Sequence, residues 1–79
     1  MDLSKTRLRR FRQVAVWPLW RVRTVSGRHD FVLNAANADH AIRKAGRAMA
    51  GNKVRSPVVH SGSVVEFSGY QFEVPQKLT

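Results

Sequence analysis

The stretch Ser63 to Val74, SVVEFSGYQFEV, decides how the rest of the chain is read. Two alternating segments, Ser63 to Phe67 and Tyr70 to Val74, flank the pair Ser68-Gly69. A two-residue loop at that pair opposes Phe67 to Tyr70, Val65 to Phe72 and Ser63 to Val74 on an apolar face. It opposes Glu66 to Gln71 and Val64 to Glu73 on the other. Turn length and apolar alternation give the same register independently, so a β-hairpin is expected here. Pro75 ends its second strand, and residues 76–79 read as a tail.

Upstream, Ala38 to Ala50, ADHAIRKAGRAMA, has helical periodicity. Ala38, Ala41, Ile42, Ala45, Ala48 and Met49 form its apolar stripe, while Arg43, Lys44 and Arg47 lie away from it. Asn37 suits the N-cap and Asp39 suits the positive end of the helix dipole. Gly51 with Asn52 suits a left-handed C-cap. A stripe built mostly of alanine lets a helix approach a sheet closely. Gly46, which costs about 1 kcal/mol in helix propensity, fits the same purpose. Residues 53–57 read as a linker, Val58-Val59-His60 as a short strand and Ser61-Gly62 as a turn.

A second hairpin precedes the helix. Trp20, Val22 and Thr24 alternate with Leu19, Arg21, Arg23 and Val25, and DFVLNA from Asp30 to Ala35 forms the return strand. A two-residue loop at Gly27-Arg28 opposes Thr24 to Phe31, Val22 to Leu33, Arg23 to Val32 and Arg21 to Asn34. One face is then apolar and the other carries Arg21 and Arg23. Pro18 marks an edge, a bulge or a break, and Val14 to Trp17 is expected to extend the sheet. Residues 1–12, MDLSKTRLRRFR, form a basic arm in which Ser4 can cap a short helix with Leu8 and Phe11 on one side.

The expected fold is therefore α+β: a basic arm (1–12), a single domain (13–75) of hairpin, helix and hairpin, and a tail (76–79). One antiparallel sheet would carry the helix on its apolar face. The expected core is Trp20, Val22, Phe31, Leu33, Ile42, Met49, Val65, Phe67, Tyr70 and Phe72. Seventy-nine residues leave no room for a second domain. Without cysteine there is no disulfide or thiolate zinc site to staple the fold. The longest uncharged apolar stretch, Val14 to Trp20, spans seven residues where a membrane helix needs about 20. No hydrophobic segment follows the basic amino terminus, so a cytoplasmic protein without a secretion signal is expected.

Charge is the strongest functional signal. Fourteen Lys and Arg face five Asp and Glu for a net charge of +9, and ten of the fourteen are arginine. Residues 1–55 hold thirteen of the cations with only Asp2, Asp30 and Asp39, whereas residues 56–79 hold Lys77 against Glu66 and Glu73. Self-repulsion on this scale implies a polyanionic partner, and arginine favours bidentate phosphate contacts and stacking on bases. The cations fall into three groups. The arm supplies Lys5, Arg7, Arg9, Arg10 and Arg12, and the first hairpin Arg21, Arg23 and Arg28. The helix and its exit supply Arg43, Lys44, Arg47, Lys53 and Arg55. A helix covering one sheet face points away from Arg21 and Arg23, so the three groups cannot form one flat patch. The arm plus hairpin is the favoured surface, because an arginine pair at i, i+2 on a strand is pre-organised. Trp17, on the parity of Arg21 and Arg23, reads either as a stacking platform beside them or as a small cluster with Leu8 or Phe11.

Catalysis has no support. There is no cysteine nucleophile and no Ser/His/Asp spacing, and Glu66 and Glu73 share a face without being opposite one another. His29, His40 and His60 are scattered without a metal-ligand spacing, and no phosphate-cradling glycine motif is present. No cofactor is implied. The expected function is non-enzymatic nucleic-acid binding, mainly to phosphate, with DNA and RNA both open. The alternative is a small inhibitor or adaptor that occupies an acidic or nucleic-acid-binding surface of a larger complex. In size and hairpin–helix–hairpin layout the chain is similar to small phage-encoded inhibitors, including some anti-CRISPR proteins. That likeness is architectural and assigns no residue.

Overall fold

The computed structural model describes the backbone of residues 7–10 and the whole of residues 17–79. The fold is α+β, with one helix and two small sheets. The elements in order are β1 (Arg7–Arg10), β2 (Leu19–Arg23), β3 (His29–Asn34), α1 (Ala38–Ala50), β4 (Val59–Ser61), β5 (Val64–Phe67), β6 (Tyr70–Glu73) and β7 (Gln76–Lys77). The first sheet has the strand order β1-β3-β2-β7 and the second β4-β5-β6. The single sheet expected from the sequence is thus divided, and a bridge between Thr24 and Phe72 joins the two parts. There Val25 N donates to Gln71 O at 3.0 Å.

The second hairpin has the register its alternation implies, with Val65 opposite Phe72 and Glu66 opposite Gln71. Ser68 and Gly69 both take positive φ, 57° and 82°, as a two-residue loop matched to the strand twist requires. Helix α1 spans the expected residues, with the expected N-cap and a C-cap that differs in conformation. Asn37 Oδ1 accepts from His40 N at 2.9 Å, and Gly51 N donates to Arg47 O at 2.7 Å. Gly51 has φ 105° and ψ 157°, so the cap uses positive φ without the left-handed helical conformation.

The first hairpin is offset by two residues from the expected pairing. Val22 faces Phe31, Trp20 faces Leu33 and Arg23 faces Asp30. The loop is correspondingly wider, closed where Thr24 N donates to His29 O at 3.0 Å. The Thr24 hydroxyl accepts from His29 N and lies 3.2 Å from Ser26 Oγ, so side-chain oxygens stabilise the longer turn. An even offset preserves parity, so the apolar residues keep their face.

Two terminal segments differ from expectation. Arg7–Arg10 is a strand parallel to β3, with Arg7 beside His29 and Arg10 beside Val32, and no helix forms over these residues. Pairing there uses backbone groups that β3 would otherwise leave open at an edge. Ser4, Lys5, Phe11, Arg12 and the expected strand residues 14–16 lie outside the described residues. At the other end, β7 pairs antiparallel with β2, so residues 76–79 are not a free tail. Leu78 N donates to Leu19 O at 2.8 Å, and Leu19 N donates to Thr79 Oγ1 at 2.7 Å.

The core is Val22, Phe31, Leu33, Ala35, Ala41, Ile42, Ala45, Val65, Phe67 and Phe72, with Trp20, Met49 and Tyr70 packed at its margin. Helix α1 packs against β2, β3 and β5 and so covers both sheets. Gly46 makes that possible. A Cβ built on it would lie 2.3 Å from Cδ2 of Phe67, a ring that is 1% exposed. Gly46→Ala is therefore expected to destabilise the domain by about 1–3 kcal/mol despite the gain in helix propensity. Pairing it with Phe67→Leu should recover part of the loss relative to Phe67→Leu alone. Thermal melts of the four proteins check this, and a stabilised Gly46→Ala variant would show that the ring can move aside.

Candidate nucleic-acid interface

The two arginines that strand geometry favoured are both engaged by acids. Arg21 makes a bidentate pair with Asp30, Nε to Oδ1 at 3.0 Å and Nη2 to Oδ2 at 2.5 Å. The hydrogen bond and charge of Asp30 raise the Arg21 pKa further above its already high ordinary value. Asp30 is 2% exposed, one of three polar residues, with Thr24 and Asn34, buried on or beside β3. Strand β3 is therefore buried on both faces, and Arg21 reaches across the one that carries Asp30. The face carrying Arg21, Val32 and Asn34 is not the open polar surface the alternation suggests. Arg23 bonds Glu73 Oε1 through Nε and Nη2, at 3.2 and 3.0 Å, on the exposed side. These pairs neutralise much of the positive field expected on this hairpin.

A side-chain hydrogen bond joins His60 Nε2 to Asp39 Oδ1 at 2.6 Å and ties β4 to the start of α1. Arg28, Arg43, Lys44, Arg47, Lys53, Arg55 and Lys77 have no acidic partner among the described residues. Arg28 stands apart at the first hairpin's tip, in an open groove of about 510 Å³ shared with Glu66 and Tyr70. Arg43, Lys44, Arg47, Lys53 and Arg55 all belong to α1 and the segment that leaves it. The side chains of Lys5, Arg7, Arg9, Arg10 and Arg12 lie outside the described residues.

Helical spacing places His40, Arg43, Lys44 and Arg47 together at i, i+3, i+4 and i+7, opposite the buried Ala41, Ile42 and Ala45. Arg43 extends over Phe67, its guanidinium carbon 5.9 Å from the ring centroid. Lys44 Nζ donates to Asn34 O at 2.6 Å, where β3 ends, and stands 5.7 Å from the centroid of Trp17. Arg47 Nε is buried without a hydrogen-bond partner among the described residues. Trp17 meets the His40 ring edge-on, with centroids 4.9 Å apart. Its companions are thus the histidine and lysine of α1. Trp17 is held from behind, since Asn34 Nδ2 donates to its carbonyl oxygen at 2.8 Å.

His40 Nδ1 accepts from Ala36 N at 3.0 Å. Burial lowers its pKa from the ordinary value, and the charges of Lys44 and Arg47 lower it further. The described His, Asp and Glu residues form no group of three able to hold a metal ion. Among the described residues no helix is long and apolar enough to cross a membrane. The chain matches no family model, no curated protein and no solved structure. The register expected from the sequence left both arginines without a carboxylate within reach, so nothing there set the helix face apart. The two-residue offset in the first hairpin is what brings Asp30 diagonal to Arg21.

Arg21→Gln is expected to cost about 1–3 kcal/mol in a denaturant melt, because it leaves a buried carboxylate without its donors. Arg23→Gln, which removes an exposed pair, should cost less than about 1 kcal/mol. Equal small losses would show that Asp30 finds other partners.

His40 makes stability depend on pH with a defined sign. The folded state lowers the proton affinity of His40, so below the unfolded pKa of about 6.5 the unfolded chain binds more protons than the folded chain. Its contribution is full above that pH and falls as the pH drops, until the folded histidine also titrates. Melts at pH 7.5 and 5.5 should therefore show a smaller acid loss in His40→Gln than in the parent. An unchanged loss would place the acid sensitivity elsewhere.

Proposed function

We propose that the protein is a non-enzymatic nucleic-acid-binding domain, acting in the cytoplasm, that grips phosphate with the outward face of α1 and its exit. The observation that carries this reading is the segregation of the cations. Arg21 and Arg23 are matched by Asp30 and Glu73, whereas Arg43, Lys44, Arg47, Lys53 and Arg55 are grouped without acidic partners among the described residues. Unmatched like charges on one element are destabilising to the isolated domain and attract a polyanion. Arginine and lysine in a helical row track a backbone of repeating phosphates without reading base edges.

A titration against duplex DNA, single-stranded DNA and RNA at several salt concentrations tests the reading. Binding should weaken steeply with salt. The triple variant Arg47→Gln, Lys53→Gln, Arg55→Gln should flatten the slope of log K against log salt by about 2–3, at about 0.7–0.9 for each phosphate no longer neutralised. Arg28→Gln, at the far hairpin tip, should change it little. Absence of binding to all three polymers, with capture of one protein from nuclease-treated lysate, would instead favour an inhibitor or adaptor.

A further inference from the structure

We infer that the nucleic acid taken by this face is single-stranded, with a base stacked on Trp17 and its phosphates held by Lys44 and its neighbours. The inference rests on the phosphate-binding reading and names the class of polymer. Trp17 is 39% exposed and stands beside the cations of α1. The residue is fixed in place. Asn34, itself 4% exposed, donates to its carbonyl, and Ala35 N donates to the carbonyl of Pro18 at 3.1 Å. A residue before proline is also confined to extended backbone. The ring is further seated edge-on against His40. An aromatic platform held this way loses little freedom on binding.

The charges around the ring suit the same ligand. Lys44 Nζ lies over one face of the ring, 5.7 Å from its centroid, so that a base would stack on the other, and it uses one of its three donors on Asn34 O. Two donors remain for a phosphate next to the stacked base. The carboxylate nearest in sequence, Asp39, is turned to His60 and does not compete. Bases of a duplex are already stacked on their neighbours and are reached by a ring only at the cost of unstacking. A single strand presents its bases freely, and aromatic stacking with an adjacent cationic track is how sequence-tolerant single-strand binding is built.

The test compares the parent, Trp17→Ala and Trp17→Phe on a single-stranded oligothymidylate and on a duplex of equal length. Stacking by one ring corresponds to about 5- to 150-fold in affinity. Trp17→Ala should weaken single-strand binding about tenfold or more and leave the duplex affinity and the salt slope unchanged, while Trp17→Phe keeps most of it. Tryptophan emission supplies a second readout that does not need the alanine variant to fold. The single strand should quench the parent and should barely quench Trp17→Phe, whose remaining Trp20 is engaged with Ala35 O. If single strand and duplex weaken alike, or if nucleic acid binds with no quenching, the stacking inference fails while the phosphate reading stands. If the parent binds no nucleic acid, both fall together.

Discussion

The contact between Gly46 of α1 and the ring of Phe67 on β5 is the constraint on which the rest of the structure depends. Two small sheets meet at one bridge, Thr24 to Phe72, and that bridge alone could not hold them in register. The helix does so by lying across both. Its buried face is Ala41, Ile42, Ala45 and Gly46, which lets it sit close to β2, β3 and β5 at once. A larger residue at 46 would push it away from Phe67 and loosen its hold on the second sheet. Close packing of this kind is how a domain with few large core residues reaches the density of larger ones.

Most of the fold was legible because most of it is local. The Ser68-Gly69 hairpin, the helix and its Asn37 cap are written in spacings of a few residues, and each is formed as read. The first hairpin kept its faces and shifted its register. A Gly-containing tip allows several loop lengths, and the choice fell to the hydroxyl of Thr24 rather than to alternation. The division into two sheets, the parallel strand at Arg7–Arg10 and the pairing of Gln76–Lys77 with β2 are all long-range. None has a turn or a period to announce it.

The same distinction governs the candidate interface. Counting charges located the basic half of the chain but could not say which cations were already spoken for. Arg21 and Arg23 looked pre-organised on a strand, and they are, toward Asp30 and Glu73. Glu73 lies fifty residues from its arginine, so no local pattern links the two. The helix cations read as one of three basic groups and not the favoured one; Trp17, brought in by the end of β3, gives them an aromatic neighbour that helical spacing does not announce.

The route of the last strand bears on how the chain acquires this structure. Thr79 bonds Leu19 across sixty residues, and β7 lies on the edge of β2 away from β3. The loop-closure entropy of that pairing is among the largest in the molecule, and it is returned by a two-residue strand. The second hairpin and the helix, whose contacts are short in sequence, can form while the outer edge of β2 is still bare. Sheet closure is then a late event in folding, and until it occurs the growing sheet offers an open edge to other chains.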